Sequence, residues 1–269
     1  MNNLLPVKKI YIYIDSRFKT DDSESNSSFK FQLTRSAHLP KNTVFYIEHF
    51  VCARAWFTIE ENINDTLFMR INSTDSNIKI NAQNYNGDTF AIEIQTKLNG
   101  MLPNTFTVAN NPQQNNISIA VNNGTQFKVS TNKDLKTRFG TTDAKSTNDI
   151  LQNYDYSSPV YHQDDTYVSG FLNLLAIRNL YLSSPNLSSY TTLGSKGESN
   201  IIKKIPVSSE FGHLIIETFT STHDWIDCSG LTLSCLEFQL RDVKGNIVPL
   251  NGSHVSFSIV FSKQNLEDN

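Results

Sequence analysis

Charge is scarce in this chain. Asp, Glu, Lys and Arg make up 18% of its 269 residues, and 23 basic against 26 acidic side chains leave a formal net charge of −3. Proteins that grip nucleic acid through its phosphates show a basic stripe or a clear basic excess, so a specific nucleic-acid partner is not expected. Cysteine is scarcer. Cys52, Cys228 and Cys235 are odd in number and stand in no CxxC or Cys/His spacing, which excludes a disulfide framework and argues against zinc. They read as reduced thiols, two of them facing a core. Long apolar runs are missing too: there is no window of about 18 apolar residues, and Met1–Val7 carries no apolar signal region. The expectation is a chain without membrane span or signal peptide, made in the cytosol. For such a chain the seven Asn-x-Ser/Thr triplets, Asn72-Ser73-Thr74 and Asn251-Gly252-Ser253 among them, are chance products of 30 asparagines rather than glycosylation acceptors.

Catalytic motifs are absent as well. The sequence contains no G-x-S-x-G, P-loop, G-x-G-x-x-G or H-E-x-x-H, each of which needs a fixed local spacing to place its nucleophile, phosphate or metal. Three groups of residues deserve weighing. His213 and His223 share a neighbourhood with Asp224 and Asp227, a set from which acid–base or metal chemistry could be drawn. His213 opens a strand, however, and His223-Asp224-Trp225 sits among Ser221, Thr222 and Ser229, which reads as a surface turn. His49 beside Glu48, in mid-strand, reads as a core or interface histidine. Asp164 and Asp165 after His162 could hold a divalent cation, but no further acids stand near, and a solvated loop is the better reading. No cofactor, metal or catalytic residue is expected, and the chain is read as no enzyme.

What the chain does have is alternation. Val7–Ile14 places Ile10, Ile12 and Ile14 on one face and Tyr11 and Tyr13 on the other, so both faces are apolar and both could be covered. Asn42–Ile59 exceeds the usual strand of about 5–6 residues and should bend or bulge near its middle. Hairpins are expected over Thr66–Ile71 with Asn77–Ile80 and over Phe106–Ala109 with Ile117–Val121. One helix is expected over Asp88–Leu98, capped by Asp88 or Thr89, with Phe90, Ile94 and Leu98 on one face. Thr20–Ser28 reads as a mobile loop. Lys133–Thr166 loses its apolar periodicity and reads as a long polar loop, which is usually functional or disordered. Strands resume at Phe171–Leu182, Ile201–Val207, His213–Phe219, Leu231–Leu240, Ile247–Leu250 and Val255–Phe261. In the last, Val255, Phe257, Ile259 and Phe261 point inward. A dozen strands against one helix make an all-β fold: a jelly-roll β-sandwich with an inserted or additional small β region containing one short helix. The expected division is 1–132 for the N-terminal strands, inserted β region and helix, 133–166 for the polar loop, and 167–269 for the strands completing the jelly roll.

Four segments add a resemblance. IYIDSRFKT near the start, IRNLYLSSPNLSSY from Ile177, IIKKIPV from Ile201 and LEFQLRDVKGNIVPLNGSHVSFSIVF from Leu236 together resemble the minor capsid, or penton, proteins of polintons, virophages and adintovirus-like DNA viruses. The middle, NAQNYNGDTFAIEIQTKLN from Asn81, resembles the GNYT-then-helix element of such proteins, with the glycine displaced. The resemblance implies a single jelly roll with an elaborated upper region, assembling as a homopentamer at icosahedral vertices of a virion. Its partners would be its own copies, a double jelly-roll major capsid protein, and a fibre or host receptor. An alternative from the binding class takes the same sandwich as a receptor- or glycan-binding attachment module, with Lys133–Thr166 as the contact.

Overall fold

The computed structural model describes residues 9–122, 125–138, 145–153, 162–163, 166–175, 177–187, 192–195, 197–218 and 224–263, with backbone alone for Arg138, His162 and Gln163. The chain opens with β1 (Ile10–Asp15), β2 (Ser28–His38) and β3 (Thr43–Ala53). A middle stretch follows with β4 (Thr66–Ile71), β5 (Thr74–Lys79), α1 (Gly87–Met101), β6 (Thr105–Asn111), β7 (Asn116–Asn122), β8 (Gln126–Val129), α2 (Asn132–Arg138), α3 (Asn148–Leu151), β9 (His162–Gln163) and β10 (Thr166–Val168). The rest is β11 (Asn179–Ser183), β12 (Ile201–Pro206), β13 (Leu214–Glu217), β14 (Ile226–Asp227), β15 (Thr232–Arg241) and β16 (Val255–Lys263).

Contacts divide the chain into two compact units, one of residues 1–56 with 177–269 and one of residues 57–176. The limits expected at 132/133 and 166/167 follow the fading of apolar periodicity. The limits in the structure follow the cores instead, since Ile150, Leu151, Tyr167 and Leu172 share one core with Phe90 and Phe127.

The first unit is a β-sandwich. One sheet runs β1-β16-β3-β13, with β14 also on β3, and the other runs β12-β11-β15-β2, every pairing antiparallel. Chain neighbours β1, β2 and β3 alternate between the sheets, and β16 returns to lie between β1 and β3. That is the rolled double Greek key of a jelly roll, with the second unit inserted between β3 and β11. The inward faces meet through Phe29, Phe50, Phe238 and Phe257, where Phe238 and Phe257 meet edge to face at 5.0 Å. β3 bulges as its length demanded: His49 adopts φ 52° and the register against β16 shifts between Ser256 and Ser258. The extra residue returns Phe50 to the core, where it stacks on Phe257.

The second unit pairs β5-β4-β8-β9 and β10-β7-β6 around a core that includes the Phe90, Ile94 and Leu98 face of α1. The helix starts one turn-forming residue earlier than expected. Asn86 is the N-cap, its side chain accepting from the Thr89 N–H while the Thr89 hydroxyl faces the Asn86 N–H, a reciprocal capping box. The β4–β5 turn is tightened to Asn72-Ser73, both at positive φ, the backbone that a two-residue hairpin with right-handed twist requires.

Other expectations give way to local hydrogen bonding. Thr20–Ser28 is tied down by its own polar groups: the Ser27 hydroxyl donates to the Val248 carbonyl, Asn26 to Ser253, and the Ser23 and Ser25 hydroxyls accept from nearby backbone N–H groups. Ser27 and Ser28 are buried. Within 133–166 the described residues carry α2, α3, β9 and part of β10 rather than a featureless loop, so α1 is joined by two further short helices. Phe171–Leu182 yields a strand only from Asn179, because the Leu172 and Asn173 N–H groups donate to the Asn115 and Ile150 carbonyls. Ile247–Leu250 makes one bridge, Arg241 to Ile247, and no strand.

Candidate functional site

Of the residues weighed for chemistry, His213 is held apart from Asp227. β13 pairs with β3 at Phe50–Ala53, while β14 pairs with it at Val44 and Phe45. His213, one residue before β13, and Asp227 on β14 therefore lie near opposite ends of β3. Nine residues, from 44 to 53, separate their partners, roughly 30 Å along a strand. Asp224 is ion-paired with Lys203 at 3.0 Å, and Asp227 accepts from the Ser229 hydroxyl at 2.6 Å. His223, Asp164 and Asp165 lie outside the described residues. His162 sits on β9 opposite Phe127. Among the described residues no three His, Cys, Asp or Glu side chains gather as a metal site.

Two thiols are core groups. Burial pushes Cys52 up to about 12, and burial with the nearby Asp227 carboxylate does the same for Cys228. Cys235 is half-buried. Of the two readings of His49, core or interface, the structure removes the first. The bulge turns it outward, 3.8 Å from the Glu48 carboxylate and largely exposed. It borders an open cleft of about 350 Å³ lined also by Tyr13, Asp15, Phe18, Phe31 and Phe257. Asp15 does not offer this cleft a free carboxylate. It accepts from the Arg17 guanidinium at 2.6 and 3.0 Å, which holds its carboxyl below the ordinary range.

On its outward side the sandwich presents surface. The register of β1 on β16 sets Ile12 and Ile14 toward the core and Tyr11 and Tyr13 away from it. Tyr46 stacks on Trp225 on the same outward side, and the Lys9 ammonium donates to the Tyr46 hydroxyl at 3.2 Å. The apolar character of both faces of Val7–Ile14 was the sequence signal for this surface. Its partners on β13, Leu214 and Ile216, gave only the weaker signal of an unbroken aliphatic run.

No family model matches the sequence, and no curated protein matches it. Among solved structures, the chain is similar to the crystal structure of the mavirus penton protein at a TM-score of 0.52 and 12% identity, over 96% of this chain and 100% of that one. At that identity the likeness is one of fold: a penton-like β-sandwich.

Proposed function

We propose that this protein is a structural virion protein, a minor capsid (penton) subunit that assembles as a homopentamer at icosahedral vertices. The shell would be of the kind built by virophages, polintons and adintovirus-like DNA viruses, with a double jelly-roll major capsid protein as the neighbouring partner. The observation that carries the reading is the extent of the likeness, which takes in the inserted unit as well as the jelly roll and spans nearly all of both chains. A lone sandwich fold would carry much less, because the same fold serves many unrelated roles. The separation of His213 from Asp227 and the inward burial of Cys52 and Cys228 fit a role in which shape and surface do the work.

Light scattering on the purified protein, across salt and concentration, tests the reading. A mass of five times the 30.4 kDa of one chain supports it. A mass of one chain at every concentration, together with failure to join shells formed by a co-expressed double jelly-roll capsid protein, overturns it.

A further inference from the structure

The two sheets of the sandwich turn different chemistry outward. On the β12-β11-β15-β2 sheet, register places Lys30, Glu237, Gln239, Arg241 and Lys204 away from the core, a surface suited to water. On the β1-β16-β3-β13 sheet the outward positions are aromatic and aliphatic at both edges. Tyr13 is 73%, Ile216 59% and Leu214 55% exposed, and Phe18, just beyond β1, is 72% exposed. Tyr11 and Trp225 are partly exposed on the same side. Between these edges the outward positions are Ser256, Ser258 and Val260 on β16 with Tyr46, Glu48, Val51 and Ala53 on β3, of which Tyr46, Ser258 and Val260 are already buried. The face is thus apolar at its margins, and Tyr13 and Phe18 also line the cleft of about 350 Å³ beside His49.

We propose that this outward face is the surface through which one copy of the chain contacts a second copy; the inference rests on the pentamer reading above and names the surface that would make it. Its size supports that occupant. The exposed parts of Tyr11, Tyr13, Phe18, Leu214, Ile216 and Trp225 amount to roughly 500–800 Å², taking each aromatic side chain at ~150–250 Å². A stable complex covers about 800 Å² per partner, whereas the largest apolar patch on a monomer is about 300–600 Å². A ring of more than two subunits joins unlike patches, so this face must meet a different surface of the neighbour. The residual charge is consistent with that pairing. Glu48 and Asp227 face outward here with Lys9 beside Tyr46, and Lys30, Lys204 and Arg241 with Glu237 face outward on the other sheet.

The test compares the wild-type protein, the double variant Tyr13→Glu with Ile216→Lys, and the control Ile92→Glu, which alters an exposed aliphatic on α1 in the other unit. Mass is read by light scattering and folding by circular dichroism. Oxidative footprinting of the unaltered protein across a dilution series gives a readout that no folding defect can mimic. The expected result is a pentameric wild type and control, a fivefold loss of mass in a folded double variant, and protection of Tyr13, Phe18 and Trp225 in the assembled state. A pentameric wild type whose double variant keeps its mass, or whose Tyr13 and Trp225 oxidise equally when assembled and diluted, overturns the inference and leaves the pentamer standing. A wild type that stays a single chain at all concentrations and fails to join shells formed by a co-expressed double jelly-roll capsid protein overturns both.

Discussion

Lys128 on β8 and Asp134 on α2 close an ion pair of 2.6 Å inside the second unit, and both side chains are nearly dry. The Asp134 carboxylate also accepts from the Thr131 N–H and hydroxyl, each at 2.9 Å. Burial alone would push the acid up, but the bonds from Lys128 and Thr131 outweigh it and hold Asp134 below its ordinary 3.8. A depressed acid stabilises the folded state above its unfolded value, and that stabilisation is lost as pH falls through the lower folded one. Stability should therefore be flat in this respect above about pH 5 and fall below about pH 4, and Asp134→Asn should remove that part of the acid limb. Lys128→Met, which strands the carboxylate in the core, should cost roughly 3–5 kcal/mol. Urea midpoints taken from pH 7 to pH 3 check both statements; an unchanged acid limb in Asp134→Asn contradicts the first.

Phe238 is fully buried and touches rings of both sheets, Phe29 at 5.5 Å and Phe257 at 5.0 Å. Phe238→Ala leaves a cavity between the sheets and is expected to destabilise the sandwich by about 3–5 kcal/mol. Phe238→Leu, which refills most of the space, should cost clearly less. Chemical denaturation followed by the burial-sensitive fluorescence of Trp56 reads the difference, and equal losses for the two variants would argue against tight packing there.

His49 holds a left-handed backbone at φ 52° without being glycine. Relieving the Cβ clash by His49→Gly should be neutral or stabilising by up to about 1 kcal/mol, while His49→Val should cost about 1–2 kcal/mol. Deleting His49 is a different matter. It takes out the extra residue itself, so Phe50 follows Glu48 in regular alternation and Phe50 and Cys52 stay inward, and the deleted chain should still give a cooperative thermal melt.

The thiols give a direct count of burial. In the native protein Cys235 should react first with an aromatic disulfide reagent. Cys52 and Cys228 should wait for unfolding, since both are buried and pushed up to about 12. Three thiols released at one rate from native protein would contradict the packing described for β3 and for the loop after β14.

Much of the fold is legible along the chain where one strand or one helix decides its own exposure. The alternation Val255, Phe257, Ile259, Phe261 and the four-residue spacing of Phe90, Ile94 and Leu98 both appear in the structure as inward faces. The bulge near the middle of Asn42–Ile59 was readable from length, though the exact residue, His49, was not, because bulge placement depends on the register against β16. An inserted or additional small β region with a short helix was readable too, but its limits, between β3 and β11, were not, because strand count carries no strand order. Thr20–Ser28 misled because polar residues are as able to tie a loop as to leave it in water, and the partner of Ser27, the Val248 carbonyl, lies more than 200 residues away in sequence. Of the candidate site, the tyrosine face of β1 was visible as an excess of apolar residues. Leu214 and Ile216 fall in line with it only once β13 is paired to β3.

The place of β16 also orders events in time. It lies between β1 and β3 and is hydrogen-bonded to both, yet it is the last of the sandwich strands to be synthesised. While the ribosome is still translating, β1 and β3 have no shared neighbour to join them, and their apolar sides wait unpaired. The second unit, residues 57–176, is continuous in sequence and can complete its core first. The newborn chain would thus carry a finished insert beside an unfinished sandwich, and the arrival of Val255–Lys263 would close the sheet in one late step.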